Sequence, residues 1–358
     1  MRIVLTQPYV AAYRVPLLER IAELLAASGH EFMVAAGRPT GDQAARADDV
    51  HPPWLHDLDT RYATVGPWTI PRRTLPPELR GADVLVTELD VKNKFAWFRR
   101  SHGASMVVLW GHGKSYVAHP SRLGEWMKRT IARRADLVLT YTASGRDYLV
   151  SEMGISAPRV VAIGNATDTG PLIDGRDRAI ADGVRESLLR ELGNGPHFLF
   201  VGGLDSSKRI SFLVDAARAL RLASPESKLI VCGDGVDRAT VEEAAARGDV
   251  RYLGPVSRAR VGEVASACSA VWMPGRVGLI AIDALALDLP VHTTSWGGHA
   301  PEIEYLGPQD ILYLPDDPAA FAKGSHRASA GHKRPRRATL APTIDSVASA
   351  FVAAILEP

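Results

Sequence analysis

The chain is predicted to be an α/β protein made of two parallel-sheet halves in tandem. Three observations carry this. The chain has 358 residues, apolar runs of strand length alternate with runs of helical spacing along it, and several strands end in a glycine-rich turn. That length favours two domains, and an apolar share of 46% supplies each with a core. Strands alternating with helices at this interval give parallel sheets flanked by helices.

Residues 2–6 form an apolar run ending in Gln7-Pro8-Tyr9, after which Leu17, Leu18, Ile21, Leu24 and Leu25 recur at helical spacing. Further strands fall at 31–36, 83–87 and 105–110, the last ending in Gly111-His112-Gly113. Between them, residues 37–77 are rich in Pro, Arg and Asp without a sustained period, and read as loop with short elements. A helix over 123–134 has Arg122, Trp126, Arg129 and Arg133 on one stripe, either a solvated cationic face or a docking face for anionic headgroups. Residues 137–141 and 160–163 read as strands around a helix at 144–152. Residues 170–195 mix Gly, Asp and Arg around a short helix at 184–192, and read as a linker.

A second alternating series follows, with strands at 198–201, 228–232, 250–253 and 270–273 and helices at 208–222, 238–247 and 258–267. The most informative stretch comes next. Strand end 270–273 turns at Pro274-Gly275, passes Gly278 and becomes an apolar helix over 279–287, followed by a strand at 290–294 and Trp296-Gly297-Gly298. A strand, glycine turn and helix start of this kind aims backbone N–H groups and a positive dipole at one point, which suits a phosphate. Residues 323–337 are basic and poor in apolar side chains, and read as a mobile loop. Ile344, Val347, Phe351, Ala354 and Ile355 share one side of a closing amphipathic helix.

A net charge of +2 with a pI near 8.5 is too balanced to announce nucleic acid. Two cysteines, Cys232 and Cys268, lie in apolar stretches and suggest buried thiols rather than a disulfide frame or a metal site. The opening residues lack a long apolar leader, and no apolar run is long enough to span a bilayer. The expected setting is the cytoplasm, with any membrane contact peripheral.

The second half resembles the nucleotide-sugar domain of GT-B fold glycosyltransferases, specifically the retaining family 4 (group 1) type. The resemblance rests on Phe200-Val201-Gly202-Gly203-Leu204 with Lys208, Val231-Cys232-Gly233-Asp234-Gly235, Tyr252-Leu253-Gly254-Pro255-Val256, and the stretch from Pro274 to Pro290. In the first half, Trp110-Gly111-His112-Gly113, Arg134-Ala135-Asp136 and Asn165-Ala166-Thr167-Asp168 look like that family's acceptor-domain signposts. The resemblance implies two Rossmann-like domains facing across a cleft. Residues 1–170 would be the acceptor side, 171–195 a linker and 196–342 the nucleotide-sugar domain, with the helix at 343–358 packing back on the first.

It further implies a nucleoside diphosphate sugar as co-substrate, a hydroxyl acceptor, and no metal or other cofactor. Lys208 would neutralise the departing diphosphate, and Gly202, Gly203, Gly275, Gly278 and Leu279 would bring backbone to the donor. Asp283 stands where the family has the second glutamate of its Glu-x7-Glu pair, which receives the ribose hydroxyls. His112 resembles the histidine that contacts the transferred sugar or orients the acceptor, and the glycines on both sides of it suggest a backbone approached by ligand. Arg14, at the first β-α turn, is an acceptor-side candidate expected to reach an acceptor phosphate or the donor diphosphate, with plain helix-start surface charge as the alternative, and Asn165 is a second acceptor-side candidate. Two departures stand out, because the first glutamate falls at Gly275 and an expected arginine falls at Gly203. Arg209 or Arg276 is expected to supply the missing cation, and Asp205 or the backbone at 275–278 the sugar contact. Rival readings are a catalytically lost scaffold partnering another transferase, a nucleotide-sugar epimerase or phosphorylase, and, least favoured, a metal-dependent transferase built on Asp57-Leu58-Asp59.

Overall fold

A computed structural model describes residues 1–40, 48–65, 68–98, 102–114, 121–329 and 341–357. The chain divides into two compact units, Met1–Thr167 with Pro342–Pro358, and Asp168–Ala341.

The first unit opens with β1 (Arg2–Gln7), α1 (Val15–Ala27) and β2 (Glu31–Ala36). The region expected to be mostly loop holds β3 (Leu55–Asp57) and an antiparallel hairpin of β4 (Asp59–Val65) and β5 (Trp68–Thr74). Alternating polar and β-branched residues, Thr60, Tyr62 and Ile70 among them, build that ribbon without an apolar period. There follow β6 (Val84–Glu88), α2 (Lys94–Trp97), β7 (Met106–Gly111), α3 (Arg122–Arg134), β8 (Leu137–Thr140), α4 (Ala143–Ser151) and β9 (Val160–Ala162). The main sheet has the order β3-β2-β1-β6-β7-β8-β9, every pair parallel. The order reverses beside β1, which places the carboxyl ends of β1, β6 and β7 at a switch point where such sheets bind ligands.

The closing helix, Ile344–Leu356, begins with a capping box between Thr343 and Ser346. It packs on α1 and drives Val347, Phe351 and Ile355 into the first unit's core, where Phe351 meets Phe32 and Trp110 at ring distances of 6.2 and 5.4 Å.

The second unit begins with α5 (Gly170–Ala181) and α6 (Val184–Leu192), so the segment expected to be a linker is two packed helices. Leu172, Leu188 and Leu192 belong to this unit's core. The glycines that gave the segment a linker's composition serve close packing. A side chain at Gly175 would run into the Ala259 carbonyl, and one at Gly262 into that of Leu172.

Next come β10 (Phe198–Val201), α7 (Ile210–Ala223), β11 (Leu229–Cys232), α8 (Arg238–Ala246), β12 (Val250–Gly254), α9 (Arg258–Ala265), β13 (Ala270–Trp272), α10 (Ile280–Ala286), β14 (Val291–Thr294), β15 (Ile311–Leu314) and α11 (Pro318–Ser329). Their parallel sheet has the order β12-β11-β10-β13-β14-β15 and reverses between β10 and β13. The helix expected from Lys208 starts later. Ser206–Lys208 is a separate 3-10 turn, and Arg209 breaks the path at φ 57 before α7 begins. Of the basic loop expected at 323–337, residues up to 329 lie in α11 and the rest lie outside the described residues. Cys232 and Cys268 are free thiols, with burial pushing Cys232 up to about 11.

Candidate functional site

In the second unit, the residues after β10 and those after β13 are built against each other at the switch point. Asp205 caps the 3-10 turn, accepting from the Ser207 N–H at 2.8 Å, and the Ser207 carbonyl accepts from the Arg276 N–H at 2.8 Å. The Lys208 ammonium returns the contact, donating to the Arg276 carbonyl at 2.7 Å. The Lys208 stem passes Gly202, where an added Cβ would meet its Cε at 3.8 Å. Gly275 has no such room. A Cβ there would lie inside contact distance of the Ser207 carbonyl and 2.6 and 2.8 Å from the Lys208 C and Cα. Glycine at 275 is thus required by the Lys208 turn, and no glutamate fits while that turn holds.

Beyond Gly275, the N–H groups of Gly278 and Leu279 have no protein acceptor among the described residues. His299 holds this turn from the far side. Its Nδ1 accepts from the Val277 N–H at 3.2 Å, which leaves Nε2 to donate to the Thr294 carbonyl at 3.0 Å. Burial lowers its pKa, and the charges of Lys208 and Arg276 lower it further. The result is a neutral imidazole, fixed in one tautomer, in a cationic neighbourhood. Sequence reasoning missed this residue, whose signal was its place just after a strand and two glycines.

Other expected donor residues are already engaged. Arg209 pairs with Asp316 at 2.6 Å, donates to Thr294 Oγ1 at 3.1 Å and lies 4.5 Å over the Phe212 ring, so it anchors a backbone bend. Arg276 is the candidate for the missing cation, since no group among the described residues pairs with its guanidinium. Asp205 serves its cap, and Gly203 sits in the turn before it. Asp283 is buried and taken up by Arg258, whose Nη2 and Nη1 reach its oxygens at 2.7 and 3.3 Å. Arg258 also donates to the Asp168 carbonyl at 2.7 Å. The carboxylate expected to receive ribose hydroxyls is thus engaged by Arg258 in this structure. Aspartate's short arm keeps its charge at the helix surface, where an arginine from α9 reaches it.

In the first unit, the carboxyl ends of β1, β6 and β7 open into a cavity of about 520 Å³. Arg14 and His112 both line it, whereas Asn165 does not and is buried with its amide oxygen on the Ala166 N–H. The His112 ring packs edge-on against Tyr141 at 5.0 Å. The glycines flanking His112 meet protein rather than leaving room for a ligand. A Cβ at Gly111 would lie 2.9 Å from the Leu89 Cβ, and one at Gly113, with φ 75, would lie 2.5 Å from the Gly145 carbonyl.

Arg14 lies over Trp110 at 5.1 Å and donates to the Tyr141 hydroxyl at 2.6 Å and the Tyr13 hydroxyl at 3.2 Å. On another wall, Glu88 accepts from Arg73 Nη1 at 2.8 and 2.9 Å and from Asn93 Nδ2 at 2.8 Å. Burial pushes its carboxyl above the usual range, with Arg73 opposing. Sequence reasoning passed over Glu88, although it ends a parallel strand, because its partner Arg73 sits in the hairpin read as loop. Among the described residues no cluster of three or more His, Cys, Asp or Glu is placed to hold a metal, and Asp57 and Asp59 lie either side of buried Leu58.

Known proteins fit this architecture. Residues 195–329 match the family model described as glycosyl transferases group 1, and residues 16–166 match that of the glycosyl transferase 4-like domain. The chain belongs to the group 1 glycosyltransferase family, carrying both of its domains. A GDP-mannose-dependent alpha-(1-6)-phosphatidylinositol dimannoside mannosyltransferase of Mycobacterium tuberculosis is 26% identical over 291 residues, covering 76% of this chain and 73% of that protein. The alpha-D-kanosaminyltransferase of Streptomyces kanamyceticus is 25% identical over 204 residues, and the match spans 52% of this chain and 51% of that relative. The crystal structure of Anabaena HepE in complex with UDP superposes with a TM-score of 0.61 at 17% identity, covering 99% of this chain and 95% of that one, a likeness of fold. Among the described residues no helix is long and apolar enough to cross a membrane.

Proposed function

We propose that this chain transfers a sugar from a nucleoside diphosphate sugar to a hydroxyl acceptor, with retention of configuration and without a metal ion. The observation that carries the reading is the coupled turn in which Lys208 closes on the Arg276 carbonyl beside the unpaired N–H groups of Gly278 and Leu279. Departure of a nucleoside diphosphate builds negative charge, and a fixed ammonium with preorganised N–H donors stabilises it without reorganisation. Arg276 adds the second cation that the family keeps at the position of Gly203. The leaving phosphate oxygen takes the acceptor proton, so no protein base is required. His112 and Arg14 serve the acceptor side.

A thermal-shift panel of UDP, GDP, ADP, TDP and their sugars, with and without EDTA, on wild type and Lys208→Ala tests this. A saturating ligand should raise stability by about 3–4 kcal/mol at a hundred to a thousand times its Kd. One base should stabilise wild type but not the variant, whatever the EDTA. Silence from every nucleotide favours the scaffold reading, whose support is that Gly275 replaces a family glutamate in a place closed to any side chain. The exposed Leu123 and Trp126 on cationic α3, 62% and 61% accessible, support a peripheral role at the inner membrane face in glycolipid or surface polysaccharide assembly. Binding to vesicles with and without anionic lipid tests that role, and equal binding to both would count against it.

A further inference from the structure

Among the described residues, the cavity of the first unit is lined by one cation that no carboxylate pairs with. Around the same wall, other ionised groups have opposite partners or water. Glu88 rests on Arg73, Glu125 lies 3.5 Å from Lys128 and accepts from the Tyr148 hydroxyl at 2.8 Å, and Asp90 is exposed. Arg14 is different. Its hydrogen bonds go to the neutral oxygens of Tyr141 and Tyr13, its Nη1 is closed to solvent and lacks an acceptor, and among the described residues no carboxylate pairs with it. The rings of Trp110, Tyr13 and Tyr141 all lie within 5.6 Å of the guanidinium carbon. Aromatic faces and neutral hydroxyls return part of the cost of burying a guanidinium, but not what a carboxylate or phosphate would. A fold that needed only a strut here would do better with a neutral side chain. Keeping Arg14 half-unsatisfied inside a cavity fits a group whose last partner arrives with the ligand.

We propose that this cavity takes an acceptor bearing an anionic oxygen group, a phosphate or a carboxylate, which seats on Arg14 beside the Trp110 and Tyr141 rings. The inference deepens the reading of the chain as a transferase acting on a hydroxyl acceptor, and rests on it. The anion completes the arginine fork, and the aromatic rings offer a flat apolar wall to the body of the acceptor. The Glu88 carboxylate, held in place by Arg73 and Asn93, keeps lone pairs for an acceptor hydroxyl.

The experiment uses the full chain as wild type, Arg14→Gln and Lys208→Ala, titrated by calorimetry and thermal shift with inorganic phosphate and with glucuronate, glucose being the neutral control. The expected result is a response to at least one anion, none to glucose, about tenfold or more weakening in Arg14→Gln, and no change in Lys208→Ala. No anion response in wild type, a response that survives Arg14→Gln, or one abolished by Lys208→Ala would each overturn the proposal. Should Arg14→Gln not fold, Arg14→Lys keeps the charge but loses the planar fork. Weakened binding is then expected, and unchanged affinity overturns the assignment. Vesicles of phosphatidylcholine with and without phosphatidylglycerol separate the sources. Phosphatidylglycerol-dependent binding that falls in Arg14→Gln assigns a lipid headgroup, and binding indifferent to Arg14 assigns a soluble anion. A nucleotide response that needs Lys208, found together with no anion response, would leave the transferase reading standing and remove only this inference.

Discussion

Replacing Gly275 by alanine tests the central claim about the donor-side turn, that the backbone of residues 207 and 208 lies directly against Gly275. The added Cβ would fall 2.6 and 2.8 Å from the Lys208 C and Cα and closer still to the Ser207 carbonyl, all of them backbone atoms that cannot swing aside. Relief requires the Lys208 turn to move. That movement stretches two bonds, the Arg276 N–H to the Ser207 carbonyl at 2.8 Å and the Lys208 ammonium to the Arg276 carbonyl at 2.7 Å. Overpacking costs about 1–3 kcal/mol, and each weakened hydrogen bond adds up to about 1 kcal/mol. Gly275→Ala should therefore lose about 2–4 kcal/mol, a fall in Tm of roughly 5–15 °C for a unit of this size. Gly278→Ala is the matched control. Its added Cβ meets only the Ala300 Cβ at 3.6 Å, an ordinary contact, so its Tm should move by no more than a degree or two. Calorimetry and nucleotide binding on both variants provide the readout. A Gly275→Ala protein as stable as wild type, or a Gly275→Glu protein that keeps full nucleotide binding, would refute the reasoning.

Arg258→Met removes the guanidinium that pairs with buried Asp283, but the arginine is 37% exposed, so the expected loss is about 1–2 kcal/mol in urea unfolding. His299→Ala leaves the Val277 N–H and the Thr294 carbonyl without their bonds, which should cost about 2 kcal/mol and weaken nucleotide binding by calorimetry. Because the folded pKa of His299 is lowered, its contribution is present above the ordinary histidine value of about 6.5 and is lost as pH falls below it toward the folded value. Stability of wild type should accordingly drop as pH falls below about 6.5 more steeply than that of His299→Asn, and parallel curves would exclude His299 as the cause. Phe351→Ala should cost about 3–5 kcal/mol and unfold the first unit at lower temperature, because that ring fills its core from the last helix.

Much of the architecture was legible because it depends on local period. Apolar strands at 198–201 and 228–232 and the 3.6-residue spacing of Leu17, Leu18, Ile21 and Leu25 carry their structure in any window of the chain. The ordered glycine turns after β10 and β13 likewise marked the two turns that the structure builds against each other around Lys208. Where glycine did two jobs, the sequence misled. At 170–195 Gly175 signalled a linker but serves the close approach of α5 to Ala259, and beside His112 glycines that suggested room for ligand are filled by Leu89 and Gly145.

What the sequence alone determined was the alternation, the division into two α/β halves and the family, since all three follow from patterns along the chain. Which charges are spent was decided only by the tertiary structure. Arg209 and Asp283 looked available and are paired with Asp316 and Arg258, while Arg14, an acceptor-side candidate in the sequence, has no carboxylate partner among the described residues. The partners lie 25 and 107 positions apart. Pairing over such separations follows from strand order and helix packing, because an ion pair depends on distance in space, and nothing in the local sequence records that distance.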